Sequence, residues 1–112
     1  MRICLLTLLL INILNASEER LYFFGNCIAC HMESNKKTAP HFAEIKGYYL
    51  MAYPQKEVFI EKMANWIHDP KAESALMHDA VEKYGVMPYL SFDLYTLKKI
   101  AKYIFENSEF EN

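Results

Sequence analysis

The chain has 112 residues, room for one small domain and no more. Its 12 Lys and Arg against 14 Asp and Glu give a net charge of −2, which excludes the broad electrostatic grip on nucleic acid that a basic surface provides. Apolar residues reach 53%, yet the mean hydropathy is only −0.07; that excludes a multi-span membrane protein, and three Gly with four Pro exclude fibrous and low-complexity classes.

Residues 1–16 read as a secretory signal peptide. Arg2 is the positive start, Ile3–Leu14 is an apolar stretch interrupted only by Thr7 and Asn12, and Asn15-Ala16-Ser17 offers small residues for cleavage. Twelve helical residues span about 18 Å, short of the ~30 Å hydrocarbon core of a bilayer. An uncleaved N-terminal anchor is the competing reading. Cys4 precedes the apolar run rather than following it, which disfavours a lipoprotein anchor. Cleavage near Ala16/Ser17 would release a periplasmic domain of residues 17–112. Loss of Arg2 leaves 11 basic residues against 14 acidic, or −3. Loss of Cys4 leaves two cysteines, so no disulfide framework supports a modest core. Something else must fill the interior.

Residues 17–31 read as a helix. Ser17 is the expected N-cap, and Glu18 and Glu19 suit the positive end of the helix dipole. Leu21, Phe24, Gly25 and Ile28 fall at i, i+3, i+4, i+7 and predict one face. Phe23, Cys27 and Cys30 share another, at i, i+4, i+7, which would turn Phe23 toward whatever the cysteines hold. The helix ends in Cys27-Ile28-Ala29-Cys30-His31, the CxxCH attachment signal for c-type haem. Two thiols about one turn apart capture both vinyl groups of a porphyrin as thioethers, and the adjacent imidazole becomes the proximal iron ligand. With three Cys and four His in the chain, chance would supply the pattern only about 0.003 times.

Three other uses of the motif are weaker. A thioredoxin-type redox pair needs a preceding strand, and none is signalled. A zinc site needs four ligands, and no second CxxC or HxxxH completes one. A disulfide across two residues would be strained and leaves His31 unexplained.

Residues 32–38 read as a polar loop closing at Ala39-Pro40. The apolar and aromatic run Tyr48–Tyr53 carries no periodicity that assigns its conformation. Pro54 suits a helix start, and Ile60, Met63, Ala64 and Ile67 then recur at helical spacing, flanked by Phe59 and Trp66, until Asp69-Pro70 stops them. Met77, Ala80, Val81 and Tyr84 predict a further helix ending at Gly85. Ser91 is the expected cap of a last helix with the stripe Leu97, Ile100, Ala101, Ile104. No hairpin turn and no sustained alternation occurs. The expectation is an all-α domain of four to five helices wrapped around one covalent haem.

A proximal His31 leaves one axial position open to Met32, Met51, Met63, Met77, Met87, His41, His68 or His78. Met63 and Met77 sit on apolar helical faces, where packing is the ordinary use of methionine. Met87 differs: it follows Gly85 and precedes Pro88, which holds it extended and outside any helix. A stiff loop can deliver a thioether to a fixed point, so Met87 is the expected ligand, with an open position or His78 as the alternatives. A His/Met pair raises the reduction potential and leaves no free iron site for a substrate. One-electron transfer, rather than enzymatic turnover, is the chemistry that remains.

With those residues in place, the chain resembles the class I cytochromes c, the small soluble monohaem proteins of bacteria and mitochondria. The resemblance rests on the pentad 27–31, on Met87-Pro88 and on the closing amphipathic helix. It implies that the terminal helices pair through Phe23 with Ile100 and Tyr103, and that Pro40 offers its carbonyl to the haem-binding imidazole. It also implies that Trp66 donates its indole N–H to a haem propionate; an ordinary core role is the alternative, and Tyr48 and Tyr49 carry the same pair of readings. Glu19 departs from the family, which often has glycine where the terminal helices cross; Gly25 is the nearby residue that could permit a close approach. The function implied is a monomeric periplasmic electron carrier between a quinol-oxidising complex and a terminal oxidase or peroxidase. A haem subunit of a larger oxidoreductase and a gas-sensing haem protein are the alternatives. Lys36, Lys37, Lys98, Lys99 and Lys102 could form a positive docking patch despite the acidic total.

Overall fold

A computed structural model describes residues 2–32 and 38–107, excluding the side chains of 12–17. It is all-helical, with no strand among the described residues. The helices are α1 (Arg2–Asn26), α2 (Ile28–His31), α3 (Phe42–Ala52), α4 (Lys56–His68), α5 (His78–Tyr84) and α6 (Leu94–Glu106).

The centre of the packing is α6. Its expected stripe is buried: Leu97, Ile100, Ala101 and Ile104 are at most 2% exposed. Because apolar residues at this spacing form a broad face, α6 can pack on α4 and α1 at once. On the α4 side Phe59, Met63 and Ala64 are buried, while Ile60 and Ile67 are only half-buried. On the α1 side Phe23 is fully buried, with its ring 5.2 Å from Tyr103 and 4.7 Å from Phe42. Burying aromatic rings in tilted and edge contacts stabilises beyond the area they cover.

Several local expectations are corrected. The first helix begins at Arg2, not at Ser17; no Gly or Pro separates the apolar leader from Glu18, so nothing breaks the hydrogen-bond ladder. The Ser17 side chain, named as cap, lies outside the described residues. Of the expected face, Leu21, Phe24 and Gly25 are exposed and only Ile28 is buried; α1 instead buries Glu19 and Phe23, with Tyr22 half-buried. A Cβ on Gly25 would meet nothing within 4 Å, so no close approach requires that glycine. At the crossing Glu19 is itself buried, its Oε1 accepting from Lys102 Nζ at 3.1 Å, and Lys99 pairs with Glu18 at 3.0 Å. These two lysines are therefore partly neutralised as a docking patch; Lys36 and Lys37 lie outside the described residues.

The unassigned run around Tyr48 belongs to α3, which opens at His41: its Nδ1 accepts from the Ala43 backbone N–H at 3.1 Å. Within α3, Lys46 is only 2% exposed and donates to the Asn107 carbonyl at 2.8 Å. Pro54 precedes α4 rather than entering it, and Gln55 is the N-cap. Asp93, not Ser91, caps α6, its Oδ1 accepting from the Thr96 backbone N–H at 2.8 Å. A carboxylate at the N-cap satisfies an orphan donor and also meets the helix dipole. Among the described residues no helix is long and apolar enough to cross a membrane. The large apolar residues between Ile3 and Ile11 are all more than half exposed.

Two stability outcomes follow. Phe23→Ala removes a fully buried ring and should cost about 3–5 kcal/mol, read from the urea midpoint. The Thr96 backbone N–H, ahead of burial and the Thr96 hydroxyl, sets the balance that holds the Asp93 carboxyl below its ordinary pKa. That stabilisation is present above the ordinary carboxylate range and disappears as pH falls through the lowered folded value. Asp93→Ala should therefore lower the urea midpoint near neutrality, with the difference from the parent vanishing in acid.

Candidate haem-binding cavity

The elements enclose a cavity of about 330 Å³ with mostly apolar walls, within the range of small-molecule sites. Cys27, Cys30 and His31 form one part of its wall, and Thr38, Ala39 and Pro40 another. Tyr49 enters from α3, Met63, Trp66 and Ile67 from α4, Ala80, Val81 and Tyr84 from α5, and Leu97, Ile100 and Ile104 from α6. Phe42 and Ile45 of α3 also line it, and the remaining non-helical part of the wall is Ala75, Leu76 and Met77 ahead of α5 and Gly85, Val86, Met87, Pro88, Leu90 and Phe92 after it. No residue of α5 is fully buried, because its expected core face (Ala80, Val81, Tyr84) lines this cavity.

The motif sits where the first helix breaks. Cys27 (φ −114°, ψ −29°) is the N-cap of α2, still bonded to the Phe23 carbonyl at 3.0 Å, and His31 N–H donates to the Cys27 carbonyl at 3.2 Å. Cys27 and Cys30 are not joined to each other by a disulfide. Burial, with a smaller effect of Cys30, pushes the Cys27 thiol up to about 11. It therefore stays protonated at neutral pH.

His31 Nδ1 lies 2.7 Å from the Pro40 carbonyl. A carbonyl only accepts, so the ring proton is on Nδ1 and the Nε2 lone pair is left for a ligand or metal. Burial lowers the His31 pKa; the Pro40 bond opposes that and neighbouring His41 adds to it. The imidazole is thus held neutral, oriented and against Phe42, ring centroids 4.7 Å apart.

Of the eight candidates for the second axial position, Met63, Met77 and Met87 line the cavity. Met51 is 87% exposed, His41 caps α3, His68 Nδ1 donates to the Phe92 carbonyl, and His78 is exposed. Met63 is 1% exposed and wedged in α4, and Met77 is the N-cap of α5. Met77, expected on a helical face, is instead outside helical backbone (φ −101°, ψ 79°), as is Met87; what sets Met87 apart is its place between Gly85 and Pro88, the proline restricting its backbone. Gly85 has φ +83° and ψ 175°, a region essentially confined to glycine, so a glycine is needed to turn the chain out of α5 and along the wall.

Other expected site residues are placed differently. Phe23 does not line the cavity; the break at Cys27 takes residue 30 out of the register of α1, and the ring is used in the α1–α6 core. Trp66 does line it, but its indole N–H donates to the Lys71 carbonyl at 3.0 Å and is taken away from the propionate role. Tyr49 is in the wall, with burial and then Tyr53 pushing its phenol up to about 12. Tyr48 is 43% exposed and borders a smaller hollow with Glu44, His78 and Asp79. The wall residues Ala75, Leu76, Leu90 and Phe92 had no sequence signal, since they lie in irregular segments without periodicity. No protein family, curated protein or solved structure matches this chain.

Proposed function

We propose that the chain is a monohaem c-type cytochrome that carries single electrons, a class I-like member built for the periplasm. The observation that carries the reading is the convergence of two thiols, a neutral oriented imidazole and a loop-borne thioether on one apolar cavity. This donor set fits haem c. Among the described residues no group of three or more His, Cys, Asp or Glu is gathered, so a zinc centre finds no ligand set there.

The Cys27 and Cys30 thiols would add S–H across the two vinyl double bonds, a step that balances without an oxidant. His31 would bind iron through Nε2, and its Nδ1–H bond to Pro40 fixes the ring and raises the basicity of that nitrogen. Met87 would hold the iron through its thioether sulfur. Bound there, the haem supplies exchange of one electron between ferric and ferrous iron. The apolar walls exclude water and disfavour the extra positive charge of the ferric state, while the neutral thioether favours ferrous iron; both raise the potential. Two protein ligands leave no coordination site for a substrate, so transfer to redox proteins such as a quinol-oxidising complex and a terminal oxidase or peroxidase, rather than catalysis, is the role.

Protein exported by cells that mature c-type cytochromes should weigh one haem more than the bare polypeptide in denaturing mass spectrometry. The bare mass would end the proposal. Met87→Ala should keep the covalent haem, open the reduced iron to carbon monoxide and lower the potential by about 100 mV or more, within the roughly 0.8 V that axial ligands command. Met77→Ala, at a half-buried residue of the wall, should leave the potential near that of the parent and lower only the urea midpoint. Parental potential and a closed iron in both variants would remove Met87 as the ligand.

A further inference from the structure

The segment between Gly85 and Asp93 forms much of the cavity wall; the Phe92 side chain packs on the core, but the backbone of the segment has few hydrogen bonds to hold it. Its ends are fixed: Gly85 N–H donates to the Val81 carbonyl at 2.8 Å, and Asp93 caps α6. Between them, the only hydrogen bond made by residues 86–92, among the described residues, is the one from His68 Nδ1 to the Phe92 carbonyl, at 3.0 Å. The segment also contains Ser91 at φ +61°, a left-handed conformation that persists in a non-glycine residue only when the surroundings over-determine it. His68 is half-buried at the last position of α4, and α4 is packed on α6. It is a rigid post beside an otherwise loose strap.

We infer that His68 is a positioning residue: by holding the Phe92 carbonyl it keeps Ser91 in its strained turn and fixes the strap that presents Met87. The inference rests on Met87 as an axial ligand. Without the donor, Ser91 can relax to negative φ, Phe92 loses its anchor to α4, and the thioether four residues back is no longer delivered to one point. The bond uses the Nδ1 proton, which the neutral and the charged ring can both carry, so the post needs no change of protonation to act.

The test uses the haem-loaded ferric protein, with imidazole as competing ligand and the red-edge absorption band of Met–ferric coordination as the readout. His68→Leu, close in shape but lacking the donor, should weaken the band and bind imidazole about two- to twelvefold more tightly, the range set by losing one hydrogen bond. His68→Asn places an amide N–H at the same number of bonds from the backbone and should restore parental binding. Parental imidazole affinity in His68→Leu overturns the inference; so does equal loosening in both variants, which would make ring shape the cause. Where H68L fails to mature, His68→Asn decides: parental binding supports the donor role, and a loosened strap overturns it. A parent protein lacking the band overturns the ligand reading instead. The strap then stands or falls on amide hydrogen exchange over residues 86–92, which His68→Leu must accelerate about fivefold or more and His68→Asn must not.

Discussion

The hydrogen bond from His31 to the Pro40 carbonyl is the contact on which the site depends. It joins the end of the CxxCH turn to the residues just ahead of α3, across a stretch of nine positions. By fixing the proton on Nδ1 it selects the one tautomer whose other nitrogen is available. Burial against Phe42 keeps that ring neutral. An imidazole free to rotate or to charge would be a poor ligand; this one is committed to a single orientation and charge state.

The helices supply that rigidity by sharing one partner. α6 presents a broad apolar face, so α1 and α4 both pack on it, and residues from α1 and α4 are held at fixed separation although they are distant in sequence. Phe23 and Tyr103 lock the α1 side, and Phe59 against Phe105, ring centroids 5.0 Å apart, locks the α4 side. Ion pairs follow the same seams: Glu19 with Lys102, and Lys56 with Glu106. The exposed pairs contribute little individually, but Glu19 is buried, and its carboxylate sits where a close helix crossing would otherwise demand a small residue. The crossing is thus spaced by a paired charge.

Regular structure brings the scaffold, and irregular structure completes the cavity. Two walls come from residues 38–40 and 85–92, where no helix constrains the backbone. The chain sets them with devices that act locally: a glycine at φ +83°, a proline after Met87, a serine held left-handed. Such segments are easily reshaped, and a side chain presented by one of them is only as well placed as the few contacts that tether it.

The pentad Cys27–His31, the helix-stop at Asp69-Pro70, the Gly85 turn and the apolar stripe of α6 are all legible along the chain without the fold. Each is a local chemical or steric rule, readable over a few residues. The sequence also marked Met87 as different from the other methionines, because Gly and Pro on either side restrict the backbone whatever surrounds it. The packing of Phe23 on Tyr103 is the contact the resemblance implied, but which face of α1 is buried, and that the Trp66 indole is spent on Lys71, emerge from the three-dimensional packing. Burial depends on what arrives from elsewhere in the chain: α1 is apolar on more than one face, and α6 chooses between them. The same holds for Glu19 and Lys46, whose charges read as surface in sequence and are buried because Lys102 and the Asn107 carbonyl, distant along the chain, come within hydrogen-bonding distance of them.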